Sequence, residues 1–423
     1  MSTSSQSLDL TPDDVDRLRR LAARIVEMAK SAENIERKRA WLSLDAGDGD
    51  RTMILAEADA IKDANFPLNN LPITCESPFG RQIERELRAT IWKFEELRDD
   101  RVVSPCWNLN WQVTVSNYGI DAVVHRPDEG GPMGAYRWDP ALRDFNRDFH
   151  LLKPRTYRVD RAATWASQER LNNLFGDILH VRIRGNFWWS MGLTMTAARL
   201  VGMENMMLMM YDNPDGLHRL MTFLRDDHLA YAEWLEREGL LSLNNENDYV
   251  GSGSCGYTAH LPALDARPSV ATRLRDLWVL AESQETVGVS PELFDEFVFQ
   301  YQLPIVQRFG ACYYGCCEPL HTRLHVIRRI PNLRKVSVSA WADQALMAQA
   351  LGREVVFSRK PNPTLISAGR FDEEHIRQDL RETLEVAAGC RLEIIMRTVH
   401  TLANEPRRLA RWVELARNAC LER

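Results

Sequence analysis

The chain has 423 residues, 45% hydrophobic and 26% charged, a globular composition long enough for one large domain with an extension or for two domains. A formal net charge of −6 supplies no basic field, which argues against nucleic acid and for a small-molecule substrate. The opening MSTSSQSLDL has no apolar core of the secretory kind, and no run approaches the roughly 18 apolar residues of a membrane span, so a cytoplasmic location is expected. The eight cysteines form no small-scaffold pattern and are read as thiols or ligands rather than a disulfide framework.

Residues 11 to 100 read as helices. TPDDVDRLRRLAARIVEMAK opens on a Thr/Asp cap and spaces its apolar residues by three and four, and RQIERELRATIWKFEELRDD does the same. Residues 1–100 are therefore assigned to an N-terminal helical extension. Residues 101 to 175 are irregular, with WQVTVSNYG as the one alternating strand and EGGPMG (129–134) as a loop.

From about residue 178 short β-branched or apolar runs alternate with helical stretches. The runs are ILHVRIRG, GLLSLNN, LWVLAES, FGACYYGCC, RKVSVSAW, EVVFSRK and RLEIIMRT. Ser290 followed by Pro291 and Glu292 marks a properly started helix. Seven strands, with an eighth from WQVTVSN, predict an α/β chain whose residues 101–423 form a (β/α)8 TIM barrel; an open doubly wound sheet is the runner-up. No G-x-G-x-x-G or P-loop motif occurs, so no nucleotide site is expected.

In such a barrel chemistry sits at the carboxyl ends of the strands. Those ends supply Asn244 and Tyr249, then Glu282, then Cys316, Cys317 and Glu318, then Asp343, then Lys360 and Asn362, and finally Arg397 and His400. Several have plain structural alternatives: Asp343 as a helix cap, Asn362 as a turn residue between prolines, Cys312 and Cys390 as buried apolar groups, and His325 on a helix surface. Adjacent Cys316 and Cys317 are different, because consecutive strand residues face opposite ways and both thiols converge only where the strand has ended. Converging thiolates near an imidazole suit Zn²⁺, although C-C-x3-H is not itself a zinc signature; inert thiols and a redox or nucleophilic cysteine stay open.

YYGCCEPLH (313–321), VSAWAD (338–343), FSRKPNP (357–363), LWVLAESQETVGVSPELF (277–294) and residues 192–226 together resemble the uroporphyrinogen decarboxylase superfamily, and more closely its uroporphyrinogen decarboxylase-like branch. The resemblance runs from about residue 75 to the end and implies a (β/α)8 barrel. The Arg-rich RPVWxMRQAGR segment of true porphyrinogen decarboxylases has no counterpart. The other chemistry of the superfamily is alkyl transfer, with zinc on an H-x-C pair and a later Cys. Here Cys316 falls on the H-x-C cysteine, Tyr314 takes the His position and His400 lies near the later Cys.

These expectations combine into a zinc-dependent methyl- or alkyltransferase acting to or from a small-molecule thiol or a corrinoid carrier. Cys316, Cys317 and His400 would hold the metal. Glu318, His321, Asp343 and Glu282 would be catalytic, with Glu318 and His321 moving protons. Asn244, Tyr249, Lys360 and Asn362 would bind substrate. No D-x-H-x-x-G motif is present, so any corrinoid would arrive on a partner protein. The rival readings are a metal-independent decarboxylase or lyase acting on a small carboxylated substrate, and a non-catalytic tetrapyrrole- or corrinoid-binding barrel.

Overall fold

The computed structural model describes residues 10–126, 136–185, 190–263 and 271–422, so the loop expected at 129–134 lies outside the described residues. At its centre six parallel strands pair in the spatial order Met53–Ala56, Leu392–Met396, Val356–Arg359, Leu333–Val338, Ala311–Tyr314 and Trp278–Ala281. Five of these are the runs expected at 278, 312, 336, 355 and 393. They read as near-continuous apolar runs because both faces of a parallel sheet are covered.

Alternate residues enter different cores. Ile54, Val279, Cys312, Tyr314, Val336, Phe357 and Ile394 pack with the helices in the largest cluster. Met53, Leu55, Val356 and Ile395 face the other way, with Trp41 and Leu44 from the helix Ala32–Ala46. Trp278, Leu280, Ala311 and Tyr313 share that second face, against Val250 and Leu261. The small antiparallel hairpin of Tyr249–Gly251 and Ser254–Cys255 lies directly on it. A Cβ at Gly251 would come within 2.3 Å of the Tyr313 ring, and one at Gly253 within 2.8 Å of Ile395 Cγ2, so the hairpin approaches this closely only through glycine.

Four expectations are corrected. The stretch 11 to 100 is not all helix: Pro12–Lys30, Ala32–Ala46 and Pro78–Trp92 are, but Met53–Ala56 is an edge strand of the central sheet. A four-residue apolar run is too short for periodicity to distinguish strand from helix. The run near 180 is a strand, but His180–Ile183 pairs in parallel with Cys106–Leu109, outside the central sheet. In WQVTVSN, Gln112–Val115 pairs antiparallel with Tyr157–Asp160 and so is not a barrel strand. No strand forms at 240–245, where Asn244 uses its side chain instead, donating to the Trp278 carbonyl at 3.1 Å and accepting from the Trp278 N–H at 2.8 Å.

The opposite edge of the sheet ends in the same manner. Ile54 N–H donates to the Asp100 carboxylate at 2.8 Å, and Ala56 N–H to Asp99 at 3.1 Å. Among the described residues the backbone ladder therefore does not close into a continuous eight-stranded sheet: side chains satisfy the edge groups where further strands would pair. No helix among the described residues is long and apolar enough to cross a membrane.

Candidate functional site

The carboxyl edge of the sheet gathers a row of polar groups from successive strands. The strand Ala311–Tyr314 ends at Gly315, whose φ of 98° lies in the left-handed region and turns the chain so that Cys316 and Cys317 follow outside the ladder. Their sulfurs lie 3.6 Å apart, with Cys316 half-buried and Cys317 exposed. Arg397, one residue past the last strand, donates from Nη1 to Cys316 Sγ at 3.5 Å. Its Nη1 also donates to Ser252 Oγ in the hairpin, and its Nε lies 3.4 Å from Glu57 Oε2 at the end of the first strand.

This setting treats the two thiols differently. Hydrogen bonding from Cys316 stabilises the Cys317 thiolate, and with Arg397 and Lys360 nearby the Cys317 thiol is pulled down to about 7. The same hydrogen bond, with burial, pushes Cys316 up. Of the two thiols Cys317 is therefore the one favoured to ionise, and it is also the more exposed.

Next to the thiols stand two buried carboxyl groups. Glu318 accepts from Ser283 N–H at 2.8 Å and Cys316 N–H at 2.9 Å, and burial raises its pKa despite those donors. Glu282, held by Ser190 Oγ at 3.2 Å and Gln284 N–H at 3.0 Å, is pushed up to about 8 by burial and by the charges of Glu318 and Glu285. Two carboxyl groups in mutual repulsion away from water hold a proton near neutrality as a unit. A cavity of about 480 Å³ opens on this group, lined by Cys317, Glu318, Gln284 and Glu285 beneath Met203, Val287, Pro319 and Trp341.

Lys360 lies deeper. Its Nζ donates to Tyr313 Oη at 2.9 Å and the Ser358 carbonyl at 2.8 Å, and burial lowers its pKa to about 7. Below it Ser358 Oγ donates to Glu393, which Lys335 Nζ meets at 3.2 Å while also donating to Ser254 Oγ at 2.9 Å. Glu57 and the Lys335–Glu393 pair were not singled out from sequence. A signal was present for Glu393, which alone interrupts the apolar strand LEIIM; Lys335 shares its strand, LRKVSV, with Arg334 and Ser337 and did not stand out.

The remaining sequence candidates separate from this centre. Asn244 is spent on the Trp278 backbone, and Asn362 accepts from Thr364 N–H at 3.0 Å and Thr364 Oγ1 at 2.8 Å as a turn residue. Asp343 is exposed and caps Gln344–Leu351 by accepting from Leu346 N–H at 3.0 Å, while His321 Nδ1 accepts from Asp343 N–H at 3.2 Å. His400 is exposed, and its carbonyl accepts from Lys62 N–H. Tyr249 sits on the hairpin, its phenol pushed up to about 12 by burial. The helix expected from Pro319 begins only at Leu324, because Glu318 turns back to Ser283 and Cys316 rather than capping forward.

The zinc set of Cys316, Cys317 and His400 is not assembled. Among the described residues no three His, Cys, Asp or Glu side chains stand together as a metal would require, and Cys316 faces a guanidinium instead. The residues do not fit the ion.

No protein-family model and no curated protein matches the chain. Among solved structures, a methyltransferase from Methanosarcina mazei aligns over 91% of this chain and 98% of its own, at 12% identity and a TM-score of 0.49. A likeness of that degree assigns neither family nor reaction.

Proposed function

We propose that this chain is a group-transfer enzyme of the alkyl- or methyltransferase kind, built as a (β/α) barrel whose ladder is interrupted beside Asn244 and Asp100, with Cys317 as its nucleophile. The observation that carries this reading is geometric: the exposed thiol of Cys317, 3.6 Å from Cys316 Sγ, lines a cavity together with the buried carboxyl of Glu318. The thiolate attacks the carbon of a bound donor, a sulfur–carbon bond forms, and the bond from carbon to its leaving group breaks. The Glu282–Glu318 pair, protonated near neutrality, delivers the proton that the departing group needs. The acceptor of the alkyl group is a small-molecule thiol or a corrinoid on a partner protein.

Radiolabelled methyl iodide at pH 7, followed by peptide mapping, tests the first half of this reaction. Label concentrated on Cys317 and lost in Cys317→Ser is the expected result. Label spread over the other cysteines, with Cys317 no faster than they are, would overturn the proposal.

A further inference from the structure

Cys317 lines the cavity, Cys316 stands just behind it with the two sulfurs 3.6 Å apart, and that distance selects what they can hold together. A relaxed disulfide spans Cα atoms about 4.4–6.8 Å apart, whereas neighbouring residues are held at about 3.8 Å, so a bond between these sulfurs would be strained. A single soft atom bonded to both is a better match. With thiolate bonds of about 2.3 Å, sulfurs at this spacing subtend an angle of about 100° at the bound atom, close to tetrahedral or pyramidal geometry.

The surroundings narrow the class further. A metal ion would need a third protein ligand, and none of the described His, Cys, Asp or Glu side chains provides it. A centre that brings its own third substituent does not need one. Over Cys317 the cavity is rimmed by Trp341, Met203 and Val287, which expose 67%, 47% and 49% of their surface and present an apolar wall to an organic group. Arg397 at 3.5 Å from Cys316 Sγ steadies the second sulfur as it gives up its proton.

We propose that Cys316 and Cys317 form a dithiol site that captures a trivalent arsenical carrying one organic group. Two arsenic–sulfur bonds form, the arsenic–oxygen double bond of R–As=O breaks, and the oxygen leaves as water with the two thiol protons. Arsenic stays trivalent throughout. The inference shares its cavity with the proposed alkyl transfer but requires both thiols rather than one.

One equivalent of phenylarsine oxide, added to the intact protein at pH 7, provides the test. A one-to-one adduct is expected by intact mass, with Cys316 and Cys317 of the tryptic segment 309–323 protected from iodoacetamide and Cys312 unaffected. Ethanedithiol should release the adduct while an equal excess of 2-mercaptoethanol does not. Cys316→Ser and Cys317→Ser should each weaken capture at least 100-fold; if either fails to fold, the protection pattern in the unaltered protein decides. Protection of one thiol only, protection elsewhere, or release by the monothiol would overturn the proposal. Selective methylation of Cys317 without arsenical capture would overturn it alone, whereas capture without selective methylation would overturn only the transfer reading.

Discussion

Arg397 and Cys316, 81 residues apart, meet at 3.5 Å across the carboxyl ends of two strands, so the charge beside the thiol pair is set by the sheet and not by the loop that carries it. The rate of iodoacetamide reaction at Cys317 should therefore be half-maximal near pH 7. Cys316→Ala, which removes the hydrogen-bond donor altogether, should move that midpoint up toward the ordinary thiol value of 9.0. Arg397→Gln should move it in the same direction by a smaller step. Unshifted midpoints in both variants would show that neither Cys316 nor Arg397 lowers the Cys317 thiol.

Glu282 should make the protein less stable as pH rises. In the folded chain it keeps its proton up to about pH 8, whereas its ordinary value is 4.5, so the folded state holds the extra proton between those limits and stability falls through that window. Glu282→Gln removes the titration. Thermal unfolding followed from pH 5 to pH 8.5 should show the variant gaining on the wild type by about 2–5 °C. A constant gap across the range would contradict the shift.

Lys335 and Glu393 are both essentially inaccessible, and Nζ lies 3.2 Å from Oε2. Lys335→Met leaves a buried carboxylate facing Ser254 and Ser358 without its cation, a loss of roughly 3–5 kcal/mol in urea unfolding. The double variant Lys335→Met/Glu393→Gln should recover a large part of that loss. If the double variant is as unstable as the sum of the two single ones, the pair does not act as a unit.

Gly251→Ala places a methyl group 2.3 Å from the Tyr313 ring, a contact the hairpin can relieve only by lifting. Overpacking of this kind costs about 1–3 kcal/mol. Because Ser252 receives a hydrogen bond from Arg397, lifting the hairpin should also raise the midpoint of Cys317 alkylation. A destabilised variant with an unmoved midpoint would show that the hairpin does not position the arginine.

The strand runs from 278 onward were legible because short segments rich in β-branched and other apolar residues alternate with helical stretches, and Ser290 does cap its helix by accepting from Leu293 N–H at 3.3 Å. Met53–Ala56 was hidden inside helical surroundings, since its role depends on a partner strand some 340 residues away, which no local pattern encodes. The cysteine pair and the two glutamates were readable as polar groups placed at strand ends. Asp343, Asn362 and Asn244 were drawn into the same list because residue type alone does not say whether a polar side chain serves a ligand or the backbone. The Asn244 contact with Trp278 is decided by tertiary proximity, and so is the turning of Glu318 toward Ser283.

The pairing of Met53–Ala56 with Glu393–Met396 has a consequence for how the chain is made. The strands from Trp278 to Met396 each lie beside the strand that precedes or follows them in sequence, so they can assemble as the ribosome delivers them. The first strand has no such neighbour and must wait until residues 393–396 have emerged. Until then an apolar edge, Met-Ile-Leu-Ala, presents unpaired backbone groups to any passing strand. Nonsense truncations before residue 392 should for that reason yield aggregates from the amino-terminal end, although every residue of that end is intact.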